Sequence, residues 1–131
     1  SNDFSAMISP GMFERFFLEG IAEECRYLDR SIYHLDGPDA VRHLDLLLEI
    51  EALDAIQFVP GAGNQDLARW LPLHQRIQRA GKAQQVIGVT TENLDLLFEA
   101  LQPHGIYLGS VGGVEDRETA DEVLRRIARW K

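Results

Sequence analysis

Cysteine is nearly absent from this chain: Cys25 is the only one in 131 residues. That excludes an internal disulfide and a multi-cysteine zinc site. Basic residues are also scarce, 13 Lys and Arg against 21 Asp and Glu, for a formal net charge of −8. Sequence-independent nucleic-acid binding needs clustered Lys and Arg, so no nucleic-acid partner is expected. No apolar run approaches the roughly 18–20 residues of a membrane span. No signal-peptide pattern opens the chain either, so no membrane partner and a reducing, cytoplasmic location are expected. What remains is ordinary for a globular protein, with 45% hydrophobic and 26% charged residues. The length suits one domain with a real core, and no linker, low-complexity tract or charge block divides it. Residues 1–131 are therefore read as a single α/β unit.

Short runs rich in β-branched or aromatic residues, each ending near Gly or Pro, predict strands at Ser31–His34, Ala55–Val59, Ala83–Val89 and Ile106–Val111. Between them the apolar residues recur with helical spacing. Phe13, Phe17, Ile21, Cys25 and Leu28 line one stripe, and Val41, Leu44, Leu47 and Leu48 a second. Leu67, Leu71, His74 and Ile77 form a third; Leu94, Leu97, Phe98 and Leu101 a fourth; Ala120, Val123, Leu124 and Ile127 a fifth. Ser9-Pro10 and Gly37-Pro38-Asp39 read as helix starts, with Asn64, Thr90 or Thr91, and Asp116 as later N-caps. Gly81 and Gly105 sit where a left-handed helix terminus belongs.

Such alternation implies parallel strands joined by right-handed helical crossovers. Two architectures fit: the C-terminal half of a (β/α)8 barrel, and an open, doubly wound four-stranded sheet complete in itself. In both, function gathers at the carboxyl ends of the strands. There the sharpest pair is His34 and Asp36, which share a face at positions i and i+2. They are candidates for acid/base work or for a metal site. The simpler alternative is that Asp36 caps the next helix while His34 bonds locally. Pro60-Gly61-Ala62-Gly63-Asn64 is a Gly-rich turn feeding a helix, so Gly61, Gly63 and Asn64 are candidate binding residues for a carboxylate or phosphate. The turn carries neither a Walker sequence nor a dinucleotide fingerprint, because Asp occupies position 66. Gln57, mid-strand, is a further candidate, since a buried amide needs partners. His43 is expected on a helix surface, His74 and His104 receive no role, and Cys25 is expected to be a packed thiol. Ser110 has no nucleophile elbow around it.

The segments Asp3-Phe4-Ser5, Ser9-Pro10, Ile32–Gly37, Ala55–Gly63 and Ile77–Lys82, in this order, resemble the uroporphyrinogen decarboxylase superfamily. The likeness is to an uncharacterised branch related to corrinoid methyltransferases and spans nearly the whole chain. It implies the C-terminal part of the family's (β/α)8 barrel, with His34–Gly37 matching an H-x-D-G or H-x-C-G strand end. The implied activity is decarboxylation of a tetrapyrrole carboxylate, or methyl transfer involving a thiol or corrinoid. The implied partners are a tetrapyrrole or other small-molecule substrate and the missing N-terminal half of the barrel. A second copy of the chain is an alternative partner, because half a barrel leaves two sheet edges and an inner face uncovered. The isolated chain is expected to be inactive. The decarboxylases use no cofactor, whereas the methyltransferases hold zinc through His-x-Cys and a later Cys. Here Asp36 stands at the first Cys position, so only His34 and Asp36 are left as zinc candidates. A cobalamin module would need Asp where Ile32 stands. The reading from another class is a self-contained α/β binding or interaction module without catalysis.

Overall fold

A computed structural model describes residues 3–131; the first two residues of the expected unit lie outside the described residues. The chain enters through a 3-10 segment, Asp3–Met7, and then α1, Pro10–Phe13. Ser9 caps α1 by accepting from the Met12 amide, and Pro10 occupies the first turn, where no N–H is needed. A π-helical stretch, Glu14–Leu18, carries the same helical run into α2, Glu19–Tyr27. Strand β1 is Ile32–Asp36, followed by a 3-10 segment, Pro38–His43, and α3, Leu44–Leu48. The remaining elements are β2 (Ala55–Val59), α4 (Leu67–Arg79), β3 (Ala83–Gln85), α5 (Leu94–Ala100), β4 (Ile106–Tyr107) and α6 (Arg117–Arg129).

The four strands form one all-parallel sheet in the order β1-β2-β3-β4, so each strand lies beside its neighbours in sequence. β1 and β4 do not meet, and the sheet is open. Side chains alternate across a strand, and burial follows that alternation. Tyr33, Leu35, Ile56, Phe58 and Gln84 are buried, whereas His34, Gln57 and Gln85 between them are half-buried. The buried set packs with the helices. Phe13, Cys25, Leu44, Leu47 and Ile77 cover β1 and β2. Leu71, Val86, Leu94, Leu97 and Val123 continue the core toward α5 and α6. The opposite face carries three rungs in register: Ile32–Ala55–Ala83, His34–Gln57–Gln85–Tyr107 and Asp36–Val59.

Some expectations are displaced. β1 runs two residues further than predicted, because Tyr33 to Asp36 stay in register with Ile56 to Val59. β3 stops at Gln85, short of the expected Val89, since Gly88 turns the chain at φ 83°. Contact resumes only as a single bridge between Thr90 and Gly112. The N-cap of α4 is Asp66, which accepts from the Ala68 amide, and not Asn64. His43 is fully buried and not a surface residue: its ring stacks on Phe13 at 4.3 Å, and Nε2 donates to the Ser5 carbonyl at 2.7 Å. His74 is buried as well, its Nδ1 donating to Gln84 Oε1 at 2.8 Å while Gln84 Nε2 donates to the His74 carbonyl at 3.0 Å. Cys25 is a buried free thiol, as expected.

Candidate functional site

The helix-free face holds the polar groups that the core does not use. His34 lies in the middle of β1 and Gln57 opposite it on β2. Nδ1 of His34 donates to Gln57 Oε1 at 2.5 Å. Gln57 Nε2 in turn donates to Gln85 Oε1 on β3, also at 2.5 Å. One hydrogen-bonded row therefore crosses three strands, and Tyr107 stands next in register on β4. The row ends against Gly109, where an added Cβ would lie 2.8 Å from Gln85 Nε2. Only a residue without a side chain leaves Gln85 this position. His34 Nε2 makes no hydrogen bond to another described residue and stays available on the open face.

Asp36 occupies the next rung toward the carboxyl end, on the same face as His34. The capping alternative does not hold for it, because the helical segment at Pro38 has Gly37 at its N-cap and no side-chain cap bond. Its carboxylate is exposed and carries no ion pair to a described residue. Gly37, at φ 81°, gives its amide to the Val59 carbonyl at 2.8 Å, which seats the loop after β1 against the end of β2.

The Gly61–Asn64 turn follows β2 on the same rim. Gly61 and Gly63 both need positive φ, 78° and 77°. The Asn64 amide donates to the Gly61 carbonyl at 3.3 Å, and the turn is held to α4 from outside. Arg69 Nη1 donates to Asn64 Oδ1 at 3.0 Å, and Trp70 Nε1 donates to the Asn64 carbonyl at 2.6 Å. The turn thus closes on itself three residues before α4 begins and does not lead straight into the helix dipole. Asn64 spends its side chain on Arg69, so the structure brings His34 and Gln57 into contact but not Asn64 with either.

Gln85 was not singled out in the sequence, although it is the partner that completes the row. The signal was register: with β2 and β3 parallel, Gln57 falls opposite Gln85 and not opposite Gln84. Gln84 points the other way and serves His74. A zinc site does not assemble, since among the described residues no three His, Cys, Asp or Glu side chains converge where a metal could sit. Cys25 packs with Tyr33 on the helix side, across the sheet from His34. Among the described residues no helix is long and apolar enough to cross a membrane. No family model matches the chain, nor does any curated protein or any solved structure.

Proposed function

We propose that the chain is the C-terminal part of a (β/α)8 barrel enzyme resembling the uroporphyrinogen decarboxylases. In this reading His34 and Asp36 form part of its catalytic wall. The observation that carries the reading is the placement of the polar row. In a (β/α)8 barrel, strands pair in sequence order, helices lie outside and alternate side chains line the interior, with chemistry at the carboxyl rim. Here the order is sequential, the helices cover one face, and His34, Gln57 and Gln85 line the other. Asp36, Gly61 and Gly63 stand on the rim above them.

The reaction that fits is decarboxylation of a tetrapyrrole carboxylate or a related methyl transfer. In the former, the bond to the carboxylate breaks, CO2 leaves, and the vacated carbon takes a proton. His34 Nε2 is the atom placed to take a proton from solvent and hand it to that carbon, and Asp36 is the carboxylate beside it on the strand. Gln57 and the Gly61–Gly63 turn shape the pocket. The residues of the opposite wall are not in this chain, so the chain alone is inactive. A self-contained binding module is the second reading, favoured by a core that is complete on the helix side without further elements.

Turnover assays on the full-length product of the native gene test this reading. With uroporphyrinogen or a methylated corrinoid–thiol pair as substrates, the full-length protein is active, and His34→Ala or Asp36→Ala lowers turnover by about 100-fold or more. Sustained turnover by the 131-residue chain alone would sink the claim, and so would full activity of both variants.

A further inference from the structure

We propose that Gln57 and Gln85 are positioning residues that lock His34 in its Nδ1–H tautomer and leave Nε2 as a bare lone pair on the open face. The use of that lone pair in catalysis rests on the reading above; the lock itself is a property of this sheet alone.

A neutral imidazole carries one proton on two nitrogens, and the partner of one nitrogen decides where the proton sits. A primary amide has one accepting end and one donating end. Placed between two partners, it must therefore accept from one and donate to the other. Gln57 Nε2 donates to Gln85 Oε1 at 2.5 Å, which turns Gln57 Oε1 toward His34. An oxygen only accepts, so Nδ1, at 2.5 Å, must carry the proton. Turning either amide alone would set two oxygens or two NH2 groups face to face. The two glutamines consequently switch together or not at all.

Gln85 reaches this position because the backbone beside it leaves room. Its Nε2 sits where Gly109 offers no side chain, so close that a Cβ would approach to 2.8 Å. The row is also half-buried on a rigid parallel sheet, where water competes less for its hydrogen bonds. Cross-strand register, and no local sequence feature, places the three side chains in line. The consequence is selectivity at one atom. Nε2 takes a hydrogen bond or a proton from a ligand group that can give one, such as a hydroxyl, thiol or ammonium. It finds no partner in a ligand that presents only acceptors there.

The test is the tautomeric state of His34 in the chain with 15N-labelled histidine rings, read from long-range proton–nitrogen spectra at a pH where the ring is neutral. The expected result is a protonated Nδ1 and a bare Nε2, the reverse of the tautomer a free histidine side chain favours in water. Gln57→Leu shifts His34 toward the Nε2–H form, and Gln85→Leu gives a mixture by freeing Gln57 to turn. Gln57→Glu keeps the Nδ1–H form, because a carboxylate only accepts. The helical circular dichroism and the ring signals of His43, His74 and His104 report whether each variant keeps the fold. An Nε2–H ring in the unsubstituted chain overturns the proposal, as does an unchanged His34 tautomer in a folded Gln57→Leu chain. If the variants do not fold, the unsubstituted chain still decides. Activity is not a readout, so failure of the enzyme reading leaves this result standing.

Discussion

His74 is held between α4 and β3 in the core, and burial keeps its imidazole below the usual histidine range, against the smaller opposing effect of its hydrogen bond to Gln84. A histidine with a lowered folded-state pKa is neutral in the fold when it would already be charged in the unfolded chain. Its contribution is therefore intact above about pH 6.5 and is lost as the pH falls below that value, because the unfolded state then binds more protons. Stability measured by urea denaturation should fall from pH 7 toward pH 5. The His74→Gln chain should lose up to about one proton's worth of that slope. An identical slope in both would show that His74 does not carry it. Gly109→Ala is a second single-residue test, since its methyl group must displace the Gln85 amide at 2.8 Å. We expect little change in stability, because the atom met is the end of a flexible side chain at an exposed position, but a change in the His34 ring signals. Their persistence would mean that Gln85 adjusts without leaving the row. His34, Asp36 and Gln57 were legible as residues because strand ends and mid-strand polar groups announce themselves. Gln85 was not, since only pairing register distinguishes it from Gln84. Nor was the burial of His43, whose charged neighbours Arg42 and Asp45 suggested a surface. The ring instead points inward to Phe13 and the entering segment.

Among the elements, α4 carries a defect that its apolar stripe conceals. Pro72 lies inside Leu67–Arg79 and cannot give an N–H to the Ala68 carbonyl. An interior proline costs about 3 kcal/mol relative to alanine, offset by about 0.4–1 kcal/mol from its stiffening of the unfolded chain. Pro72→Ala should thus stabilise the chain by about 2 kcal/mol, seen as a higher urea midpoint at unchanged slope. A lower midpoint would mean that the proline is needed to seat Leu71 and Leu73. Leu97→Ala tests the packing on α5: the side chain is fully buried, and its loss should cost about 2–5 kcal/mol. A loss below 1 kcal/mol would place α5 outside the cooperative core. The αβαβαβαβα order, the stripes and the caps at Ser9 and Asp116 could be read from spacing alone, because each rests on local chemistry. What could not be read is where a strand stops. Gly88 ends the β3 pairing through its left-handed backbone, and the same Gly could have sat within a longer strand. The start of α4 was misplaced for a similar reason. Asn64 and Asp66 are both good caps, and Asn64 is already held by Arg69 and Trp70.

As a whole molecule, the chain has one face of its sheet covered by helices and the other open. Helices close the core behind the sheet, while the other face shows a polar row flanked by Ile32 and Tyr107, which are 56% and 62% exposed. β1 and β4 each pair along one edge only. Parallel sheets are ordinarily covered on both faces, and eight strands would close these edges where four leave them open. The four parallel strands were legible from alternation, but which face the helices leave open was not. Nothing local in Ile32, His34 or Tyr107 marks them as residues of that face. The measurement that bears most directly on the barrel reading is the intact mass of the polypeptide made from the native gene. A product of about 250 residues or more is the expected result, with this chain forming its C-terminal portion. A product with this chain's own mass, 14.8 kDa, would contradict the barrel reading and leave a self-contained binding module in its place.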